Sequence, residues 1–174
     1  MQLPLHTLRL AKQSFAVAII ASTVIPFKAH SLPTSNGAAC SSAVLNAGDR
    51  LKSKHGATLI SVAFEETQDS ISPIKGGKTL SFIFMNFPTS TTSRYEINAR
   101  NKNDAIMNSP RLQVAVASLI MTGCHQVDKV EFGMNHTGWI EPVYRMHDGT
   151  VKSGVSVPCR ARGPELPWGY YMSC

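Results

Sequence analysis

Only 16% of this 174-residue chain is charged, 7% is aromatic and four residues are cysteine, so most of the usual signs of chemistry are thin or missing. There is no Cys-x-x-Cys pair, which excludes a zinc ribbon and a thioredoxin-like redox site. There is no Gly-x-Ser-x-Gly elbow or other nucleophile context, so the many serines do not assemble into a hydrolase motif. No basic run is interleaved with aromatics, which removes the usual footprint of a nucleic-acid binder. There are no internal repeats. The one long apolar run, Ser14–Phe27, is short for a bilayer span and Pro26 ends it.

That run has a different reading. Arg9 and Lys12 precede it, and Ala29-His30-Ser31 follows with small residues where a leader peptidase cuts. The layout is that of a secretory signal peptide over residues 1–31. Its removal leaves 143 residues, enough for one domain with its own core. It also takes away Arg9, Lys12 and Lys28 and no acid. The balance of 17 Lys/Arg against 11 Asp/Glu then becomes 14 − 11 = +3, too mild to argue for a polyanionic partner. The expected location is secreted or periplasmic.

Cys40, Cys124, Cys159 and Cys174 all lie beyond the leader, and an even count after an export signal reads as two disulfides. Three pairings are possible. Cys159–Cys174 would staple a Pro- and Gly-rich tail, and Cys40–Cys124 would tie an N-terminal arm, residues 32–56, to the end of a helix.

That helix is the clearest local signal. Ser109 suits the N-cap, Pro110 the first helical position and Gly123 a left-handed end. Between them Arg111, Ser118 and Thr122 fall on one narrow stripe, almost everything else is apolar, and Gln113 alone interrupts the opposite side. A helix this apolar needs partners around most of its circumference. A short helix over Ser41–Lys54 is a weaker reading.

The remainder reads mainly as strand, with Thr79–Phe87 apolar on both faces. Ala57–Glu66, Thr79–Phe87 and Arg94–Ala99 read as strands before the helix, with Thr79–Phe87 the central one and Pro88 closing it. After the helix come Val130, Phe132 and Met134 alternating with Lys129, Glu131 and Gly133. Trp139–Met146 follows, bent or edge-placed because of Pro142. Asp148-Gly149 then turns the chain into Val151–Val157. Three strands, a helix, then two or three strands is the order of a small OB-fold barrel with one helix between strands three and four. The fold expected over residues 57–174 is therefore mostly β with one helix, an α+β class.

The candidate chemistry is sparse. His125, Asp128 and Glu131 sketch a metal site, but residues 128 and 131 of a strand face opposite ways and no third ligand joins them, so neither a metal nor a cofactor is expected. His55, His136 and His147 read as surface or strand-end residues. Cys124 beside His125 has the composition of a thiol–imidazole couple, though export favours a disulfide. Glu65 and Glu66 are neighbours on opposite strand faces, a poor acid–base pair. Asn135-His136-Thr137 is a glycosylation acceptor in a eukaryotic secretory pathway. No catalytic residue emerges, and the chain reads as a non-enzyme.

The leader, the barrel-like order, Ser109-Pro110 opening an apolar helix, Thr122-Gly123 before a strand and the Val157-Pro158-Cys159 … Met172-Ser173-Cys174 ending together resemble the B subunits of pentameric-B bacterial toxins. The small subunits of pertussis toxin and the B subunits of subtilase cytotoxin and typhoid toxin are nearest in pattern. Those subunits usually carry a further disulfide in the early strands, where this chain has no cysteine between 40 and 124. The resemblance implies a secreted, non-enzymatic pentamer that recognises cell-surface glycans and travels with a separate A subunit. None of the family's glycan-pocket residues is carried over to this sequence. The sugar-stacking candidates are the aromatics Trp139, Tyr144, Tyr95 and Trp168, beside Tyr170 and Tyr171, and the Arg111–Ser118–Thr122 stripe would face a central channel. Five copies would supply avidity without a tight single site. The alternative is a monomeric periplasmic or extracellular structural or protein-binding module without glycan specificity.

Overall fold

The computed structural model describes residues 37–67, 71–158 and 166–173. The expected leader at 1–31 and both members of the expected Cys159–Cys174 bond lie outside the described residues.

Ten elements follow one another: α1 (Gly37–His55), β1 (Leu59–Glu66), β2 (Lys78–Phe84), α2 (Arg94–Met107), α3 (Pro110–Gly123), β3 (Val127–Met134), β4 (Ile140–Arg145), β5 (Val151–Ser153), β6 (Val155–Pro158) and β7 (Tyr170–Ser173). The first five strands form one sheet in the order β1-β2-β3-β4-β5, and β6 and β7 form a separate ribbon. The α+β class holds. The closed barrel with a single helix does not: β1 and β5 are two separate edges, and the described residues contain three helices.

The reason lies in one pairing. β1–β2, β3–β4 and β4–β5 are antiparallel, but β2 and β3 run parallel, Phe82 opposite Phe132. A parallel neighbour requires a crossover from one end of the sheet to the other. Both α2 and α3 occupy that crossover, so the helical insertion falls between the second and third strands rather than between the third and fourth.

Arg94–Ala99, read above as a third strand, is the first half of α2. Its buried residues are Ala99, Asn103, Ile106 and Met107, a helical spacing whose central member is polar. Asn103 is fully buried because its side chain is a bracket: its Oδ1 accepts from Thr58 N at 2.9 Å and its Nδ2 donates to Met85 O at 2.9 Å. It thus fastens α2 to the start of β1 and the end of β2. A pattern search counts such an asparagine as surface.

α3 spans Pro110–Gly123 as expected, but its ends differ in detail. The Ser109 hydroxyl makes no cap bond; its carbonyl takes the Gln113 N–H instead. Gly123 is not left-handed. It is glycine because α1 crosses there: a Cβ would stand 2.6 Å from Ala43 Cβ and 3.2 Å from Ala39 O. The neighbouring Cys124 closes a disulfide with Cys40, Cα atoms 4.4 Å apart and 84 positions apart in sequence.

The core joins Ala47 and Leu51 of α1, Ile106 and Met107 of α2, and Val116, Ala117 and Ile120 of α3 to the strand residues Leu80, Phe82, Phe84, Val130, Phe132 and Val143. Phe132 stacks on Phe82, with ring centroids 5.8 Å apart. The strand contributors come from alternate positions, so the helices cover one face of the sheet. The other face is left to other uses.

Candidate interaction surface

On the face away from the helices, β2 and β3 present short or charged side chains. Ser81 lies opposite Glu131 in the ladder and donates its hydroxyl to Glu131 Oε2 at 3.2 Å. Lys129 Nζ approaches Glu131 Oε1 at 3.2 Å, so both carboxylate oxygens are engaged. The partners of Asp128 are different: it is fully buried and accepts from the hydroxyls of Thr67, at 2.6 Å, and Ser72. Gly77 passes so close to this carboxylate that a Cβ would stand 1.9 Å from Oδ2. Asp128 therefore anchors the loop between β1 and β2. His125 is exposed, and among the described residues no group of His, Cys, Asp and Glu is placed to hold a metal ion. Cys124 is spent in its disulfide, so it offers no thiol to a neighbouring imidazole.

Toward β4 the same face becomes aromatic. Tyr144 and Trp168 meet edge to face, centroids 4.9 Å apart at 75°, and are only 4% and 7% exposed. Trp168 Nε1 donates to Arg145 O at 2.9 Å. Trp139 is instead packed half-buried against the core, its Nε1 donating at 2.8 Å to Oε1 of Glu141, which stands opposite Phe132 in the ladder. Glu141 Oε2 accepts from the Tyr171 hydroxyl at 2.9 Å. Burial, reinforced by the bond to Glu141 and by its negative charge, pushes the Tyr171 phenol above its ordinary range. Gly154 admits the ribbon here, since a Cβ would press on Tyr144, Tyr171 and Pro142.

The sugar-stacking candidates are therefore not one platform. Tyr144 and Trp168 pack on each other, Trp139 is half-covered, and Tyr95 stands alone on α2 at 73% exposure. Of the proposed channel stripe on α3, Arg111 and Thr122 are exposed and Ser118 is half-buried. The hydroxyls of Ser118 and Thr122 bond back to Val114 O and Ser118 O within the helix.

Sequence reasoning missed the ribbon. Val155 pairs with Tyr170, Ser156 with Tyr171, Val157 with Met172 and Pro158 with Ser173, all parallel. Alternate pairs share a face, so Val155, Tyr170, Val157 and Met172 form one row, and Ser156, Tyr171, Pro158 and Ser173 the other. In the second row the Ser156 and Ser173 hydroxyls bond each other and Tyr171 reaches Glu141 of the main sheet. Both rows are largely exposed: in the first, Val155 at 50%, Tyr170 at 42% and Met172 at 59%, with Val157 half-buried, and in the second Ser156, Pro158 and Ser173, with Tyr171 half-buried. The alternation of Val155, Val157 and the spacing of Tyr170 and Met172 were visible in the sequence, but nothing local pairs two segments across a Pro- and Gly-rich stretch.

The Cys40–Cys124 bond is compatible with an extracytoplasmic location. No described helix is long and apolar enough to cross a membrane. Compared with known protein families, curated proteins and solved structures, the chain matches none.

Proposed function

We propose that this chain is an exported, non-enzymatic module that binds a protein partner through the apolar row of the β6–β7 ribbon. The observation that carries the reading is the run of exposed apolar side chains on the ribbon, Val155, Tyr170 and Met172. The ribbon is tied to the main sheet through Tyr171 and Glu141, and the exposed Ser156 and Ser173 hydroxyls bond each other beside that apolar row. Contiguous exposed apolar surface rimmed by polar residues is characteristic of contact sites.

A photo-crosslinking amino acid at Met172, compared with one at the exposed Leu45 of α1, should trap one protein at the ribbon and none at the helix. With that protein purified, Val155→Lys and Tyr170→Ser should each weaken binding by about tenfold or more, a loss of about 1.4 kcal/mol. A glycan ligand is the second reading, since Tyr170 keeps an exposed ring. Hits on a glycan array that Tyr170→Ser abolishes, with no protein trapped at Met172, would replace the first reading by the second.

A further inference from the structure

The sheet ends at β1, and no other described strand pairs with its outer side. Natural edge strands are usually blunted with lysine, proline or a bulge, because their unpaired N–H and C=O groups are a template for another strand. β1 carries its bulge at Leu59/Ser61 and its carboxylates, Glu65 and Glu66, at the far end. Between these lie Ser61, Val62, Ala63 and Phe64, regularly paired to β2 on one side and bearing neither charge nor proline. Phe64, which shares a face with the core residues opposite it, is nevertheless 36% exposed.

The geometry points to β1 as a homodimer contact, with a second copy of this chain pairing antiparallel to it about a two-fold axis through Ala63. Antiparallel pairing about Ala63 sets each Val62 against Phe64 of the other copy, apolar against apolar on the helix-bearing face. On the opposite face it sets each Ser61 against Glu65, a hydroxyl donor against a carboxylate. Glu66 meets Ile60, so none of the four carboxylates faces another. An axis two residues further on would instead place Glu65 against itself, and like charges directly opposite destabilise a ladder. The strand is thus complementary to its own reverse in sterics and in charge, which singles out a second copy over an unrelated strand. Two five-stranded sheets would become one continuous ten-stranded sheet, and the isologous contact is the commonest kind among soluble oligomers. This inference does not depend on the ribbon.

The test uses the full mature chain. Light scattering across a concentration series should show the mass rising toward twice that of one chain. Under mild oxidation A63C should give a covalent dimer, because the axis brings its two thiols together, while T92C in the exposed loop before α2 should not. F64K should raise the dissociation constant by about tenfold or more, and A63K, which adds a charge without removing an apolar ring, should do the same. Circular dichroism confirms that each variant folds. A mass of one chain at the highest concentration reached overturns the inference. So does a dimer that both lysine variants leave unchanged and that A63C does not crosslink.

Discussion

Gln113 donates its side-chain amide to Met107 O at 2.9 Å and to Ile106 O at 3.1 Å. The one polar residue on the buried side of α3 is thus the cap for the last carbonyls of α2, which no helical N–H can reach. Asn108 fills only part of that need, its backbone and side-chain N–H groups both turning back to Asp104 O. Ile106 O also accepts from Ser109 N at 3.1 Å, so replacing Gln113 by Leu chiefly takes the donor from Met107 O. The expected loss is about 1–3 kcal/mol, read as a lower urea midpoint with an unchanged slope.

The Cys40–Cys124 bond closes a loop of 84 positions. On loop-entropy grounds such a closure stabilises by about 4–5 kcal/mol. The double replacement C40S/C124S should lower the denaturation free energy of the oxidised protein by an amount of that order. With those two cysteines taken, Cys159 and Cys174 are the only pair left for a second bond. A peptide map of the unreduced protein should contain one linked peptide for each pair.

Gly77 is required by the carboxylate it passes. A Cβ at that position would overlap Asp128 Oδ2 and approach Ile74 O at 3.0 Å. Gly77→Ala should therefore displace Asp128 from the Thr67 and Ser72 hydroxyls, which leaves a buried carboxyl group short of partners, and should cost about 1–3 kcal/mol. Hydrogen exchange should localise the change to the loop between β1 and β2, where Thr67 N donates to Gly77 O. Uniform deprotection across the sheet would contradict that assignment.

Tyr171 gives a pH dependence of definite sign. Its phenol is held above the ordinary value of 10.0 in the folded protein, by burial first and by Glu141 second. The folded state therefore holds this proton more tightly than the unfolded state, and the stability gained is complete below the unfolded value and is lost as pH rises through the folded one. Absorbance titration of tyrosinate should show a late-ionising component that Tyr171→Phe removes. The same variant should flatten the decline of stability above the ordinary phenol range.

How far the chain could be read in advance follows from which contacts are local. α3 was legible because Pro110 and its apolar repeat act within four residues of one another. The five strands of the main sheet were legible from short-range pattern, Thr79–Phe87 from its apolar run and Val130–Met134 from an alternation that meets one helical layer and one open face. α2 was not, since its buried repeat passes through Asn103, whose partners Thr58 and Met85 are 45 and 18 positions away. The barrel expectation failed for a related reason: the expected third strand, Arg94–Ala99, is helical, and the parallel run of β2 beside β3 is set by where the helices deposit the chain. The aromatic platform failed because Tyr144 and Trp168 satisfy each other, a contact between positions 24 apart. The ribbon has the same character, pairing Val155 with Tyr170 through residues that carry no strand signal.

The parallel junction of β2 and β3 also divides the molecule's assembly in two. β1 with β2, and β3 with β4 and β5, are antiparallel neighbours that follow one another in the chain and can close as hairpins on their own side. The seam between them has no such shortcut and waits for α2 and α3 to be in place. A chain nicked in the turn before Arg94 would stay tethered through Cys40–Cys124, and reducing that bond would leave the parallel seam to hold the two pieces together, so their dissociation would report on it.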